Sequence, residues 1–488
     1  MLIAGALLHS PMFASPTTPK KYNILFTTFH MAEFSKKSNN GQTVAVLGAG
    51  ISGLMDAFAL HQAGFAVSVY AKGPDPRFSP KAEHYSSTHN GELGRFISRF
   101  EGEHYLGDSP MYPKMKQAFQ KHVSKGGWLG KSKKQLTEFD KAWLKKRYAA
   151  CDDVKALLET ERFYVKANGK AMELWQELIR EFPELFKNAD LLNTGILRLY
   201  DNKVLLGWAI NRHQKEGVLE RALTPAGVAK DYPYFADAAE KGFIAGGLEA
   251  AGFSLNIHKF CQNLVDYLSA QDVQFNWRQN ILGIQLSSKN LVKGLVTEQG
   301  LITARNYSIN PGAYADESLF AGTPAAGKIA GVAGRWMFMP SPPSFKRPVK
   351  IHADVRKEGE KTFPIVDINL THFLDSSGKE WLAVGGGYAY LGKPPFEANN
   401  PALALIDSEN ERIIKRFFGS FYEKVLKAGQ IKKSSATCVR SFTYNDVPIM
   451  ATMATALGGR FRVNVGTNTG TTTISPFTAQ ETVKALLG

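Results

Sequence analysis

The apolar residues of the chain fall into two spacings. Short runs rich in Val, Ile and Ala occur at Thr43–Leu47 (TVAVL) and Ala66–Tyr70 (AVSVY), as expected of strands buried on both faces of a parallel sheet. Between them Leu54–Ala63 reads as a helix, and Gly64 closes it as a C-cap. Together they form a strand–helix–strand unit. Helical spacing recurs at Glu138–Leu158, Ala171–Phe186, Asn256–Ala270, Ser408–Val425 and Thr478–Leu487, and more briefly at Met115–His122. Strands are predicted at Val273–Asn276, Ile281–Leu286, Leu291–Thr297, Asn306–Asn310 and Arg460–Val465. Gly195–Tyr200 with Val204–Ile210 reads as a strand pair, and Glu216–Ala239 as short helical turns. Val349–Phe373 and Trp381–Tyr390 alternate like strands of an antiparallel sheet. Pro74–Pro113 is a long irregular stretch rich in Pro, Gly, Ser and His, of a kind that is often functional.

Composition narrows this picture only a little. A chain of 488 residues, 44% hydrophobic, suits two or three domains or one large interleaved enzyme. The excess of 59 Lys and Arg over 44 Asp and Glu gives a net charge of +15. The basic residues form no long block, so the charge is read as the surface of a basic enzyme and not as a nucleic-acid footprint. Peripheral membrane association stays open. Cys151, Cys261 and Cys438 lie far apart, which argues against a disulfide scaffold and a zinc knuckle. The histidines show no metal-ligand spacing, so no metal site is predicted. Residues 1–42 read as a leader or disordered extension to a cytoplasmic protein. Met1–Ser15 lacks the early Lys or Arg of a signal peptide, with export as the alternative.

The chemistry concentrates at Gly48-Ala49-Gly50-Ile51-Ser52-Gly53. This G-x-G-x-x-G is weak alone but specific between a buried strand and a helix. Gly48 allows the tight turn, Gly50 lets backbone amides approach a pyrophosphate, and Gly53 lets the helix pack closely on the strand. The helix N-terminus then stabilises the phosphates. An acidic ribose partner should close the second strand, but the chain reads Tyr70-Ala71-Lys72 there. Lys72 suits a phosphate, which keeps NADP open. Asp75 or a backbone group is the other candidate for the ribose.

In wider pattern the sequence resembles the FAD-dependent D-amino-acid oxidase superfamily, which includes glycine and sarcosine oxidases and D-amino-acid dehydrogenases. The likeness runs from Thr43 to Leu487. After the opening unit it rests on Glu173–Tyr200, Gly246–Gln274 and Leu295–Ala313, the last ending in a Gly-Ala loop. Arg440–Met450 (RSFTYNDVPIM) follows, similar to an Arg-Pro-x-Thr-x-Asp-x-x-Pro-Ile segment with Ser441 in place of Pro. Asn464–Pro476 (NVGTNTGTTTISP) is similar to a closing Gly-His-x-x-x-Gly segment, with Thr467 in place of His. The resemblance implies FAD as cofactor and an α/β fold: a Rossmann-like FAD-binding domain interleaved with a mixed or antiparallel-sheet substrate domain. Residues 43–109, 242–333 and 438–488 would form the first, and 110–241 and 334–437 the second.

It also implies oxidation of a C–N bond in an amino acid or secondary amine by hydride transfer to flavin, the imine product then hydrolysing. Oxygen or a quinone-type carrier would be the acceptor. Gly312 and Ala313 are candidates for close approach to the cofactor. Gly466, Thr467, Asn468, Gly470 and Thr471 are candidates to offer donors to the polar edge of the flavin. Arg440 is the candidate clamp for a substrate carboxylate, since a guanidinium pairs a carboxylate bidentately, and a structural role is the alternative. Tyr388 and Tyr390 are candidate pocket residues, with core packing as the competing expectation. His89 lies near where some relatives attach flavin covalently but is not a clean match. No general base stands out. Two other functions stay open: a flavin dehydrogenase of a hydroxy acid or alcohol, and a nucleic-acid-associated or scaffold protein on a Rossmann-like core.

Overall fold

A computed structural model describes residues 42–78, 94–102, 108–110, 116–345, 347–353, 366–375, 377–393 and 400–488. Residues 1–41, His89 and most of the irregular stretch before Pro113 lie outside the described residues.

In chain order the strands and longer helices are β1 (Thr43–Leu47), α1 (Ile51–Gln62), β2 (Ala66–Ala71), β3 (Gly94–Ser98), α2 (Glu138–Asp152), α3 (Val154–Glu181), β4 (Ile196–Tyr200) and α4 (Lys203–Lys215). There follow β5 (Leu219–Leu223), β6 (Gly246–Ala250), β7 (Gly252–Asn256), α5 (Ile257–Ser269), β8 (Gln274–Trp277), β9 (Ile281–Leu286), β10 (Val292–Thr297), β11 (Gly300–Ile302) and β12 (Asn306–Ile309). The last are β13 (Ile329–Pro340), β14 (Val349–Ala353), β15 (Val366–Leu374), β16 (Glu380–Gly392), α6 (Pro401–Lys427, broken at Gly419), β17 (Lys432–Thr443), β18 (Ile449–Ala454), β19 (Arg460–Val465) and α7 (Thr471–Leu487).

Two sheets organise the molecule. The first runs β18-β19-β12-β1-β2-β8. Its strands are parallel except for the antiparallel β18–β19 pair. β1 is buried at every position after Thr43, as a strand covered on both faces must be. On one face α1, α5 and α7 supply a continuous apolar layer, and α3 adds Trp175 and Leu178 to it. Trp175 Nε1 donates to the Thr473 carbonyl, 3.0 Å away, and so ties α3 to α7. The other face packs against the small β9–β10–β11 sheet. Inside the first sheet lies one buried carboxylate, Asp56 of α1. It accepts from Ser308, Asn310, Asn464 and Thr482, which joins α1 to β12, β19 and α7.

The second sheet, β17-β13-β16-β15-β14-β4-β6-β5, is mostly antiparallel. Its outer face is covered by α6, whose Ile413, Ile414 and Phe417 meet Met337, Ile351 and Leu370. Its inner face looks across a cleft at the carboxyl ends of β1 and β12.

Several sequence expectations change. Within Glu216–Ala239, read as short helical turns, Leu219–Leu223 is the edge strand β5, paired with β6. Val204–Ile210 is not a strand but the first half of α4. Asn202 caps that helix by accepting from the Val204 and Leu205 amides, so the apolar run is spent on a helical face that buries Leu205, Ala209 and His213. The closing helix begins at Thr471, seven residues before its expected start, and accommodates Pro476 inside. β13, the strand that joins β16 and β17, was not foreseen, because Gly331, Gly334 and Arg335 interrupt its apolar run.

Candidate functional site

The cleft between the two sheets is continuous from the glycine turn to the middle of the second sheet. Gly48 through Ser52, Lys72, Gly312, Ala313, Tyr388, Arg440, Gly466, Thr467, Asn468 and Thr471 all line it. Gly53, Gly470 and Tyr390 do not. Gly53 sits beneath the turn, where a Cβ would come within 1.9 Å of the Gly48 carbonyl oxygen. Gly470 packs against Gly102. Tyr390 is fully buried, with its hydroxyl on Asp140 of α2, 3.0 Å away. Tyr388, beside a local irregularity of register against β13, stacks on Trp128 at 4.2 Å at the edge of the same aromatic cluster, so it both packs in that cluster and lines the cleft.

At one end the cleft is built from backbone. Gly48 has φ +101, and a Cβ there would lie 2.2 Å from the Asn310 carbonyl oxygen, so only glycine fits. Its amide donates to the Tyr70 carbonyl, and the Asn310 amide to that of Leu47, which holds the turn between β2 and β12. Gly50 is the N-cap of α1 and no side chain caps that helix. Gly470 is the N-cap of α7, again with no side-chain cap. Two helix N-termini of positive potential therefore open on one cleft, a setting suited to phosphates and to an electron-rich ring edge. A cradle that a single Cβ would fill, under an uncapped helix, fits a pyrophosphate.

The loop between β19 and α7 is fixed from behind. Asn468, buried and at φ 53, donates through Nδ2 to the Asp446 carboxylate and lies near the Tyr164 hydroxyl. Asp446 in turn accepts from Arg147 at 2.9 Å, with both side chains buried. Burial raises the Asp446 pKa, and Arg147 opposes that rise. The side chain of Asn468 is thus used inward, and its amide donates to the Ser441 carbonyl at 3.0 Å, which ties the loop to β17. Thr467 and Thr471 share a hydroxyl–hydroxyl hydrogen bond of 2.5 Å.

At the other end the cleft is built from side chains on β3, β13, β14, β15, β16 and β17. The run Gly385-Gly386-Gly387 makes the room. A Cβ on Gly385 would lie 2.1 Å from the Trp336 ring. On β13, a Cβ on Gly334 would lie 2.3 Å from the Arg440 guanidinium. Arg440 donates to the Gly387 carbonyl at 2.9 Å and lies 5.1 Å from the Tyr388 ring centre. Arg95 lies over Trp336 at 4.8 Å.

Beside them is a buried charge cluster that the sequence did not reveal. Glu101 accepts from Lys350, Arg198 and Ser98 at 3.1, 3.1 and 2.8 Å. Burial alone would raise the Glu101 pKa, but Lys350 and Arg198 hold it below the ordinary carboxylate value. Asp367 lies 2.7 Å from Nδ1 of His352, its register partner across β14–β15. Burial again opposes ionisation of Asp367, and His352 and Lys350 outweigh it, so it too is held low. The His352 pKa is lowered by burial, against the pull of Asp367. Burial raises the phenol of Tyr388 well above its ordinary value, so it stays neutral. The signals that could have found this cluster are the triple glycine and the His352–Asp367 pairing, which crosses strands separated by a long connection.

Asp75, one sequence candidate for the ribose, is not on the cleft. Arg77 binds it through two nitrogens, at 2.6 and 3.0 Å, and reaches on to Asp266. Among the described residues no group of His, Cys, Asp and Glu is arranged to hold a metal. None of their helices is long and apolar enough to cross a membrane.

The architecture and the glycine cradle agree with comparisons to known proteins. The chain matches the model of the FAD dependent oxidoreductase family DAO over residues 43–485 and belongs to that family. Among solved structures it is similar to glycine oxidase from Bacillus cereus (TM-score 0.58, 13% identity, 92% of this chain and 98% of that one). It is also similar to fructosyl peptide oxidase from E. terrenum (0.56, 13%, 92% and 89%) and to L-amino acid deaminase from Proteus vulgaris (0.52, 14%, 95% and 95%). At these identities the likeness is one of fold. No curated protein matches by sequence. The chain is therefore an FAD-dependent oxidoreductase, which removes the scaffold reading and sets NADP aside in favour of FAD.

Proposed function

We propose that the protein oxidises a carbon–nitrogen bond of a small amino acid or secondary amine that carries a carboxylate. The observation that carries this reading is Arg440. Its guanidinium is part of the cleft wall, and its contacts among the described residues are to a carbonyl and a neutral ring, not to a carboxylate. A guanidinium so placed is set to take an anionic group bidentately. The named activities of the similar structures all concern amino acids or their derivatives.

FAD would be held by the Gly48–Ser52 turn, the Gly312–Ala313 loop and the start of α7, and supplies a hydride acceptor when bound. The protein does the rest. Arg440 fixes the carboxylate end of the substrate. Trp336 and Tyr388 form an apolar wall that excludes water and orients the chain of the substrate. Asp367 and Glu101, balanced by Lys350 and Arg198 and, for Asp367, hydrogen-bonded to His352, leave the wall polar without a free anion to compete for Arg440. The substrate enters as the neutral amine, the carbon next to nitrogen gives up a hydride, and the nitrogen gives up its proton to water. The resulting imine adds water and splits into a keto acid or aldehyde and ammonia or an amine.

The test is an anaerobic screen of the FAD-loaded protein against D- and L-amino acids, N-alkyl amino acids, simple amines and hydroxy acids. Bleaching of the flavin band by carboxylated amines, with ammonia or amine released on turnover, is expected. Bleaching by hydroxy acids alone overturns the reading in favour of a hydroxy-acid dehydrogenase.

A further inference from the structure

We infer that the adenosine end of the cofactor is held by an indole face and two side-chain amides, in place of the carboxylate that this type of strand–helix–strand unit commonly puts there. β2 ends on Ala71, which has no group for a ribose hydroxyl. In the parallel pairing of β2 with β8, the residue in register with Ala71 is Trp277. Register partners project to the same face of the sheet, and the small Ala71 leaves room for the indole. Trp277 lines the cleft, half-buried, packs against the apolar layer on the helix-covered face of the first sheet, and is stacked with Phe275 at 5.1 Å and 7°. Phe275 stands two residues earlier on the same strand, so it fixes the plane of the indole from one side.

The segment after β8 is tied to the segment after β2 by two backbone bonds. The Arg278 amide donates to the Gly73 carbonyl at 3.0 Å, and the Gln279 amide to the Ala71 carbonyl at 2.9 Å. Arg278 accepts φ 58 to make this turn. The result places Gln279 and Asn280 on the cleft wall beside Ala71. Each primary amide both donates and accepts, as a ribose diol requires. The nearest acid, Asp75, is occupied by Arg77 and lies off the cleft. Base–aromatic stacking is worth enough to replace one lost hydrogen bond to a carboxylate. Because no ionised group takes part, adenosine binding has no carboxylate step in its pH dependence.

The inference concerns only the binding of the cofactor and stands apart from the substrate reading. Its test uses the full-length chain with Trp277→Ala, Trp277→Phe and Gln279→Leu. FAD release from the holoenzyme is followed by flavin fluorescence. ADP, which carries the adenosine and the pyrophosphate, and FMN, which carries the flavin, are then titrated separately into the flavin-free chain. Trp277→Ala is expected to weaken ADP by roughly 5- to 100-fold and to speed FAD release, with FMN unchanged. Trp277→Phe retains most of the ADP affinity, and Gln279→Leu, which keeps the indole, weakens ADP alone. Unchanged ADP affinity in both Trp277→Ala and Gln279→Leu overturns the inference, as does a parallel loss of ADP and FMN in both.

Discussion

The two ends of the cleft are built by opposite means. At the glycine end the contacts come chiefly from backbone, supplied by residues 48–52, 310–313 and 466–468, and the side chains of the turn matter chiefly by being absent. At the second-sheet end the contacts come from charged and aromatic side chains on six strands. One end presents the same polar groups to any anionic ligand of the right shape. The other can be respecified one side chain at a time. A cofactor common to many enzymes belongs at the first, and a particular substrate at the second.

Substitutions can break this contrast or sharpen it. The largest effect is expected from Gly48→Val. Both the positive φ and the overlap with the Asn310 carbonyl forbid the branched side chain. Flavin loading, read as the ratio of flavin to protein absorbance after purification, should fall to near zero. Retention of a full complement of flavin would show that this end is not rigid.

Next comes Glu101→Gln. It leaves Lys350 and Arg198 facing a neutral amide in a buried setting, at a cost of about 3–5 kcal/mol, visible as a lower denaturation midpoint at pH 7. The sign of the pH effect follows from the depressed pKa of Glu101. Its contribution is present above the unfolded carboxylate value, 4.5, and is lost as pH falls through its lower folded value. The difference between wild type and variant should therefore shrink under acid conditions.

Arg440→Met is expected to leave flavin loading intact and to raise KM for a carboxylated substrate by roughly 10- to 150-fold, the worth of a charge-assisted hydrogen bond. A smaller change is expected for an amine without a carboxylate. Equal losses for both would make Arg440 structural. The smallest effect belongs to Thr467→Ala, which removes one partner of the Thr467–Thr471 hydrogen bond. FAD affinity should fall by about tenfold or less, read by equilibrium dialysis.

The same contrast explains what could be read from the sequence. The glycine end was legible because its signals are local: a strand, a turn and a helix within one short stretch, each with its own residue pattern. The Gly312–Ala313 and Gly466–Thr471 loops could be proposed because they resemble family segments, and all but Gly470 reach the cleft. The other end was mostly hidden. Arg440 was found through a motif, but Trp336, Lys350 and Asp367 come together only through strand pairing across the second sheet, and Arg95 and Glu101 reach them from β3 and the loop after it, in a different sheet. Tyr388 and Tyr390 show the limit most simply. Strand alternation gives residues two apart the same face, and both pack in the aromatic cluster around Trp128; Tyr388, beside the register shift and at the edge of that cluster, also reaches the cleft. The strand reading of Val204–Ile210 failed for a related reason. The apolar run fits either period, and the deciding residue, Asn202, lies outside it as a helix cap.

One feature of the first sheet bears on how the enzyme comes into being. Its central β1 is among the earliest described strands, yet β12 beside it pairs outward with β19, and the last helix, α7, closes the cleft behind them. The glycine turn can form early in synthesis, but the wall against which the cofactor rests arrives only with the final segments. A chain cut before Arg460 would carry the signature turn but lack β19, the parallel neighbour of β12, and the α7 N-terminus on the cleft, and it is expected to lose flavin on gel filtration.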